Sequence, residues 1–346
     1  MKTFHYEKTS AERYSAQCRS LIAELYEAKG RAEMAISLYA DELDPFRHST
    51  FSDNIDASAR IEGICVDAQR IHELIEGDEP VDDKESEVAG YAEALKRICM
   101  DPMALPPTTT TILSLHDDVF RGRSSDGRSK YRSRDEMYAL IDGKTQKTRV
   151  SPVSAFETPL YLGAACDSLA DAFDAGLYAP LALIPEFVVD FMCIRPFDEG
   201  NGRIARLFSE LLLLRSGFDV VRYVSIDKLF ERDAMGYYDA LNACVAGWDR
   251  GSNDYEPFVM FWLRALAEAH EVLLSRTPVS PSGKLGKADR VRAFFSTREG
   301  TFTKRDIMEA CPDIALSTVE LALGQLVREG FVRKVGGGRS TAYERA

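Results

Sequence analysis

Arg195-Pro196-Phe197-Asp198-Glu199-Gly200-Asn201-Gly202-Arg203-Ile204-Ala205-Arg206 separates two apolar runs, 181–194 and 207–214. A loop of Pro, Gly, Asn and charge between two buried-looking helices is a site candidate on physical grounds. Gly200 and Gly202 open backbone conformations closed to other residues, and Asn201 tolerates the left-handed region. The loop feeds a helix whose first N–H groups and positive dipole end favour an anion. Arg203 and Arg206, three apart, share a face near its start and add two permanent positive charges. Glu199 offers a carboxylate beside them, as a Mg²⁺ bridging phosphates requires. The stretch reads as a polyphosphate site with its metal, although the same letters also serve a plain helix-to-helix turn.

Working outward, Ser58 and Glu62 lie four apart in 54–64, on one face of a helix that Gly63 ends. Glu136 to Ile141, the turn Asp142-Gly143, and Gln146 to Val150 have the alternation of a β-hairpin. Thr158 to Gly176 is expected as a helix packing Leu160, Leu162, Leu169 and Phe173, and Phe197 as core beneath the loop. Residues 10–43 are expected as helix broken at Gly30, and 76–86 as a solvated acidic loop. His116, with no second ligand in view, reads as a structural contact rather than a metal ligand.

These pieces resemble the Fic (Fido) proteins. Their signature is His, any residue, Phe, any residue, Asp or Glu, Gly-Asn-Gly-Arg, two residues, Arg, and 195–206 matches every position except the first, where Arg195 stands. The resemblance implies transfer of AMP from ATP to a protein hydroxyl. It implies a site in which Gly200, Asn201, Gly202, Arg203 and Arg206 bind the nucleotide and Glu199 the Mg²⁺. Ser58 and Glu62 match the family's inhibitory pattern, Ser or Thr, three residues, Glu, then Gly or Asn; Glu62 is then expected to pair with Arg206 in place of the ATP γ-phosphate. The 136–150 hairpin, after Lys130-Tyr131-Arg132, corresponds to a flap on which an unknown protein target docks as an added strand. Tyr238, in Tyr237-Tyr238-Asp239-Ala240-Leu241, is expected beside the adenine or simply as half of a packed aromatic pair. The family's His takes the proton from the attacking hydroxyl. Arg195 stays protonated and has no acceptor lone pair, so it cannot be that base. General-base help is worth roughly 10²–10⁴-fold in rate, so an inactive or impaired transferase is the expectation.

The chain has 346 residues, 45% of them hydrophobic and 28% charged, with net charge −12. No apolar run approaches a membrane span, and the polar start is no signal peptide. Seven scattered cysteines without a Cys-x-x-Cys pair suit reduced thiols and a cytoplasmic protein. From Lys284 to the end there are 12 Lys and Arg against 8 Asp and Glu, net +4, leaving −16 for the rest. Three short helices there, 288–296, 303–310 and 316–329, precede a Gly-tipped ribbon. Together they resemble a winged helix-turn-helix, with Ser317-Thr318 capping the third helix and Arg339 at the wing, which suits DNA or a dimer contact.

The expected architecture is mainly α: a Fic/Fido helical core with a small hairpin flap, plus a C-terminal winged helix-turn-helix. The expected boundaries are an N-terminal helical region with the inhibitory helix at 1–106, the core at 107–276, a linker at 277–286 and the winged module at 287–346. The alternative to a transferase scaffold is a nucleotide-sensing, DNA-binding regulator without transfer activity, or a pure interaction module.

Overall fold

The computed structural model describes residues 2–6, 13–121, 131–135, 138–142, 146–150, 153–175, 180–277, 285–296, 298, 300–337 and 341–346, with backbone alone for 138–142 and 146–150. In chain order the helices are α1 (Ala16–Leu38), α2 (Ala40–Ile61), α3 (Ala68–Glu76), α4 (Asp83–Met100) and α5 (Thr109–Phe120). A hairpin follows, β1 (Tyr138–Asp142) and β2 (Gln146–Val150). Then come α6 (Thr158–Asp174), α7 (Pro180–Ile194), α8 (Asn201–Arg215), α9 (Ile226–Arg232), α10 (Ala234–Ala243) and α11 (Glu256–Ser275). The chain closes with α12 (Lys287–Ser296), β3 (Thr301–Phe302), α13 (Lys304–Ala310), α14 (Leu316–Arg328), β4 (Val332–Val335) and β5 (Ala342–Arg345). Among the described residues, no helix is long and apolar enough to cross a membrane.

Two compact units emerge, Met1–Ala28 with Phe46–His270, and Lys29–Pro45 with Glu271–Ala346. The core of the first is built by α7 and α8. Leu181, Phe187, Phe191 and Ile194 of α7 and Leu207, Leu211 and Leu214 of α8 are buried, as their apolar runs demand. Phe197 is buried beneath the intervening loop. The hairpin is antiparallel, Tyr138 opposite Val150 and Asp142 opposite Gln146, and β1 lies against α10. Its tip, including the expected Asp142-Gly143 turn, falls partly outside the described residues.

In the second unit α12, α13 and α14 pack around Val291, Phe295, Ile307, Val319, Leu323 and Leu326. They carry a three-stranded sheet in the order β3-β5-β4. Residues 29–45, placed with the N-terminal region from sequence, pack here. Arg292 bonds Glu42 (2.6 Å) and Glu329 (3.1 Å) and lies between the rings of Tyr39 and Phe331.

Several sequence expectations are corrected. Gly30 does not break a helix: α1 runs through it and the interruption falls at Tyr39, because an interior glycine costs a helix only about 1 kcal/mol, which packing offsets. The acidic 76–86 stretch is helical from Asp83, since Asp82 caps α4 by accepting from the Glu85 N–H (2.8 Å). Leu160 points outward, 60% exposed. Ser317 and Thr318 lie inside the first turn of α14, whose N-cap is Ala315 with no side-chain cap. The two-residue strand β3 was too short to leave a sequence pattern.

Candidate functional site

The loop joining α7 to α8 is held by backbone geometry and by three rings. Arg195 has φ 46°, the left-handed region in which a side chain crowds its own backbone. It stays there because its N–H donates to the Phe191 carbonyl (2.8 Å) and its carbonyl accepts from Arg132 Nε (2.8 Å). Arg132 also reaches the carbonyl of Val153 and Thr158 Oγ1 (3.1 Å), while its own N–H donates to the Pro196 carbonyl (2.9 Å). One buried guanidinium thus ties the loop to the segment ahead of α6. Gly200 has φ 79°, and a Cβ on it would lie 2.4 Å from the Phe120 ring. The His116 ring stacks on Phe197, centroids 3.8 Å apart, and on Phe120 at 4.5 Å. Its Nε2 donates to the Glu199 carbonyl (3.3 Å). Burial lowers the His116 pKa to about 4, with Arg203 adding to the effect against that hydrogen bond, so the ring is neutral.

Asn201 is absorbed by the loop. Its Oδ1 accepts from the Phe197 N–H (3.0 Å) and its Nδ2 donates to the Phe197 carbonyl (2.7 Å). The two arginines expected to act together go to different carboxylates. Arg203 bonds buried Glu87 and lies over the Phe120 ring (4.9 Å). Arg206 turns to α2.

There the structure brings together residues far apart in sequence. Asn54, Ser58 and Glu62, one turn apart along α2 and just past its end, face Glu210, Arg206 and Gly202, one turn apart in the reverse order along α8. Asn54 Nδ2 donates to Glu210 Oε2 (3.1 Å). Arg206 Nε donates to Ser58 Oγ (3.0 Å) and its Nη2 to the Ser58 carbonyl (3.1 Å). Arg206 Nη2 also meets Glu62 Oε1 at 2.9 Å. Glu62 lies against Gly202, where a Cβ would come within 2.3 Å of its Oε1. Tyr238 borders the pair: its hydroxyl is 3.5 Å from the Ile61 carbonyl, and burial followed by the Glu62 charge raises its pKa.

Arg206 is 4% exposed. Burial pulls its pKa down, but Glu62 and Asp227 push it up by more, so the guanidinium stays charged. Its Nη1 is buried without a hydrogen-bond partner among the described residues and lies 3.3 Å from where a Gly202 Cβ would stand, close to the start of α8. The Glu199 side chain is exposed. A permanent cation with an unmet donor, beside a helix N-terminus and an exposed carboxylate, can accept an anion once Glu62 moves aside.

Glu87, Arg132, Tyr91 and Asp227 were missed from sequence as parts of this site. None belongs to a local pattern; only Arg132 lay in a stretch that had drawn notice, Lys130-Tyr131-Arg132.

The Fic/DOC family model matches residues 106–213. A curated relative from Nematostella vectensis, named Protein adenylyltransferase Fic, is 33% identical over 92 residues, 26% of this chain. That match spans only 18% of the relative's length. Among solved structures, a Fic family protein from Desulfovibrio desulfuricans is similar with TM-score 0.61 and 20% identity, over 96% of this chain and 97% of that one. A Fic domain containing signaling protein from Bacteroides thetaiotaomicron has TM-score 0.60 and 18% identity, over 77% of this chain and all of that one. At those identities the structures speak for the fold, and the fold and the matched segment agree: residues 106–213 form a Fic/DOC-type domain.

Proposed function

We propose that this domain is a protein adenylyltransferase scaffold, held shut by Glu62 and deprived of its general base by Arg195. The observation that carries the reading is the 2.9 Å pair between Glu62 and buried Arg206. A carboxylate there satisfies the guanidinium that a terminal phosphate of ATP would otherwise claim. With Glu62 displaced, Arg206 and the first N–H groups of α8 hold the polyphosphate. Glu199 offers an exposed carboxylate for a Mg²⁺, an ion that takes most of its ligands from phosphates and water; its contribution when bound would be to neutralise phosphate charge. Arg203 and Asn201, engaged by Glu87 and Phe197, shape the cradle. A target segment docks along β1, leaving its hydroxyl to attack the α-phosphorus as the bond to pyrophosphate breaks. The hydroxyl proton needs an acceptor, and Arg195 has no lone pair to give.

The test is intact-mass spectrometry after incubation with ATP and Mg²⁺, comparing the chain, Glu62→Gly, and Glu62→Gly with Arg195→His. An AMP adduct on the double variant alone is the expected result. An adduct on Glu62→Gly already overturns the role given to Arg195. If no variant is labelled and none binds ATP, the nucleotide reading fails. ATP binding without labelling favours a nucleotide sensor, which the lone-pair argument already permits.

The proposal does not extend to DNA. Of the tail's twelve basic groups, Arg290 is paired with Asp313, Lys304 with Glu320, Arg305 with Glu309, and Arg333 with Glu344, all within its own unit. The outward side of α14 includes exposed Leu321 and Glu320, a poor match to the phosphate contacts on which DNA affinity rests.

A further inference from the structure

Arg206 is gripped from two sides by groups of different character. On its outer side Glu62 follows the last turn of α2, with its side chain a quarter exposed. On its inner side Asp227, in the first turn of α9, is 2% exposed and its Oδ2 stands 3.8 Å from Arg206 Nε. The two carboxylates share one guanidinium, but only one can leave. Asp227 Oδ2 accepts from the Tyr91 hydroxyl (2.9 Å). Burial raises its pKa, against the Arg206 charge and hydrogen bonds from Tyr91 and Ser58. The Ser58 hydroxyl, fully buried, accepts from Arg206 Nε on the same side.

We infer that Asp227, backed by Tyr91 and Ser58, is the positioning residue that keeps Arg206 compensated and aimed when Glu62 is gone. A guanidinium this buried, left with no carboxylate, would either shift toward another partner or admit water. With Asp227 in place, Arg206 keeps Nε on the Ser58 hydroxyl and Nη2 on the Ser58 carbonyl, while Nη1 faces the start of α8. Glu62 is then a removable occupant of the outer edge, and its release leaves the inner edge of the site standing. This rests on the proposed nucleotide reading for its ligand, though its geometric core does not.

The experiment compares ATP and AMP binding by isothermal titration calorimetry in Glu62→Gly and in Glu62→Gly with Asp227→Asn. Only the longer nucleotide reaches Arg206. ATP affinity is expected to fall about tenfold on adding Asp227→Asn, with AMP affinity unchanged. Equal losses for both nucleotides, or no loss of ATP, overturn the positioning role. Tyr91→Phe in the Glu62→Gly background keeps the carboxylate and removes one tether, and is expected to lower ATP affinity about threefold; it serves if Asp227→Asn does not fold. A second readout needs no nucleotide. If both carboxylates hold Arg206, the fall in Tm of the Glu62→Gln, Asp227→Asn double variant exceeds the sum of the single variants; additivity overturns the inference. Loss of ATP binding already in Glu62→Gly, with that non-additivity intact, would remove the nucleotide reading alone.

Discussion

Glu62 fills the side-chain space of Gly202: its Oε1 lies 2.3 Å from the point where a Cβ on Gly202 would stand. The glycine of the loop and the carboxylate of a helix 140 residues earlier in the chain are therefore one steric unit, with Arg206 bonding the second member.

Gly202→Ala should act through Glu62. The methyl displaces the far end of a long side chain, so the backbone need not move and the ion pair is what breaks. Urea unfolding should show a net loss of about 1–2 kcal/mol: a hydrogen bond to a charged group is worth about 1.5–3 kcal/mol, and alanine's better helix propensity offsets up to about 1 kcal/mol of it. In a Glu62→Gly background the same change should be neutral or stabilising by up to about 1 kcal/mol, because alanine is the better helix former. An equal loss in both backgrounds would mean that Gly202 is needed for its backbone and not for the space it leaves.

Arg195 carries a conformational cost that its own side chain creates. The left-handed region disfavours side chains by about 1–2 kcal/mol, part of which glycine's greater freedom in the unfolded chain cancels. Arg195→Gly should therefore stabilise the fold by about 1 kcal/mol in thermal unfolding, since the backbone bonds to Phe191 and Arg132 remain. A fall in Tm would show that the Arg195 side chain contributes more than its backbone costs.

His116 should make the fold acid-sensitive. Its pKa is lowered by burial from 6.5 to about 4, so between those values the unfolded chain holds the proton and the folded chain does not. The contribution is complete above pH 6.5 and is lost as pH falls toward 4, by at most about 3 kcal/mol. His116→Phe preserves the stack on Phe197 and should flatten this part of the stability profile measured between pH 7 and 4. A profile unchanged by the substitution would place the acid sensitivity elsewhere.

Lys2 should contribute strongly to stability. It is 7% exposed, and its ammonium meets Asp190 at 2.9 Å beneath the Trp248 ring. Asp190 on α7 also accepts from Tyr6, Trp248 and Tyr255, so the first residues of the chain anchor the helix that leads into the loop. Lys2→Met leaves a buried carboxylate without its cation and should cost about 3–5 kcal/mol in urea unfolding. A loss below about 1 kcal/mol would show that the three hydroxyl and indole donors suffice.

What the sequence alone determined was local. Apolar runs on either side of 195–206 required two buried helices, the glycines required a tight turn between them, and Ser58 and Glu62 four apart required a shared helix face. Each follows from residues within a turn or two of one another, where spacing maps directly onto geometry. Tertiary structure decided the partners. Arg203 and Arg206 share a spacing that suggested a joint task, yet Glu87 takes one and Glu62 with Ser58 takes the other. Asn201 looked like a ligand group and closes its own loop. Asp227 and Tyr91 carried no pattern at all, because a buried carboxylate is recognised by what surrounds it. A guanidinium removed from water takes whichever acceptors the packed helices bring within reach, and that choice exists only once α2, α4, α8 and α9 have come together.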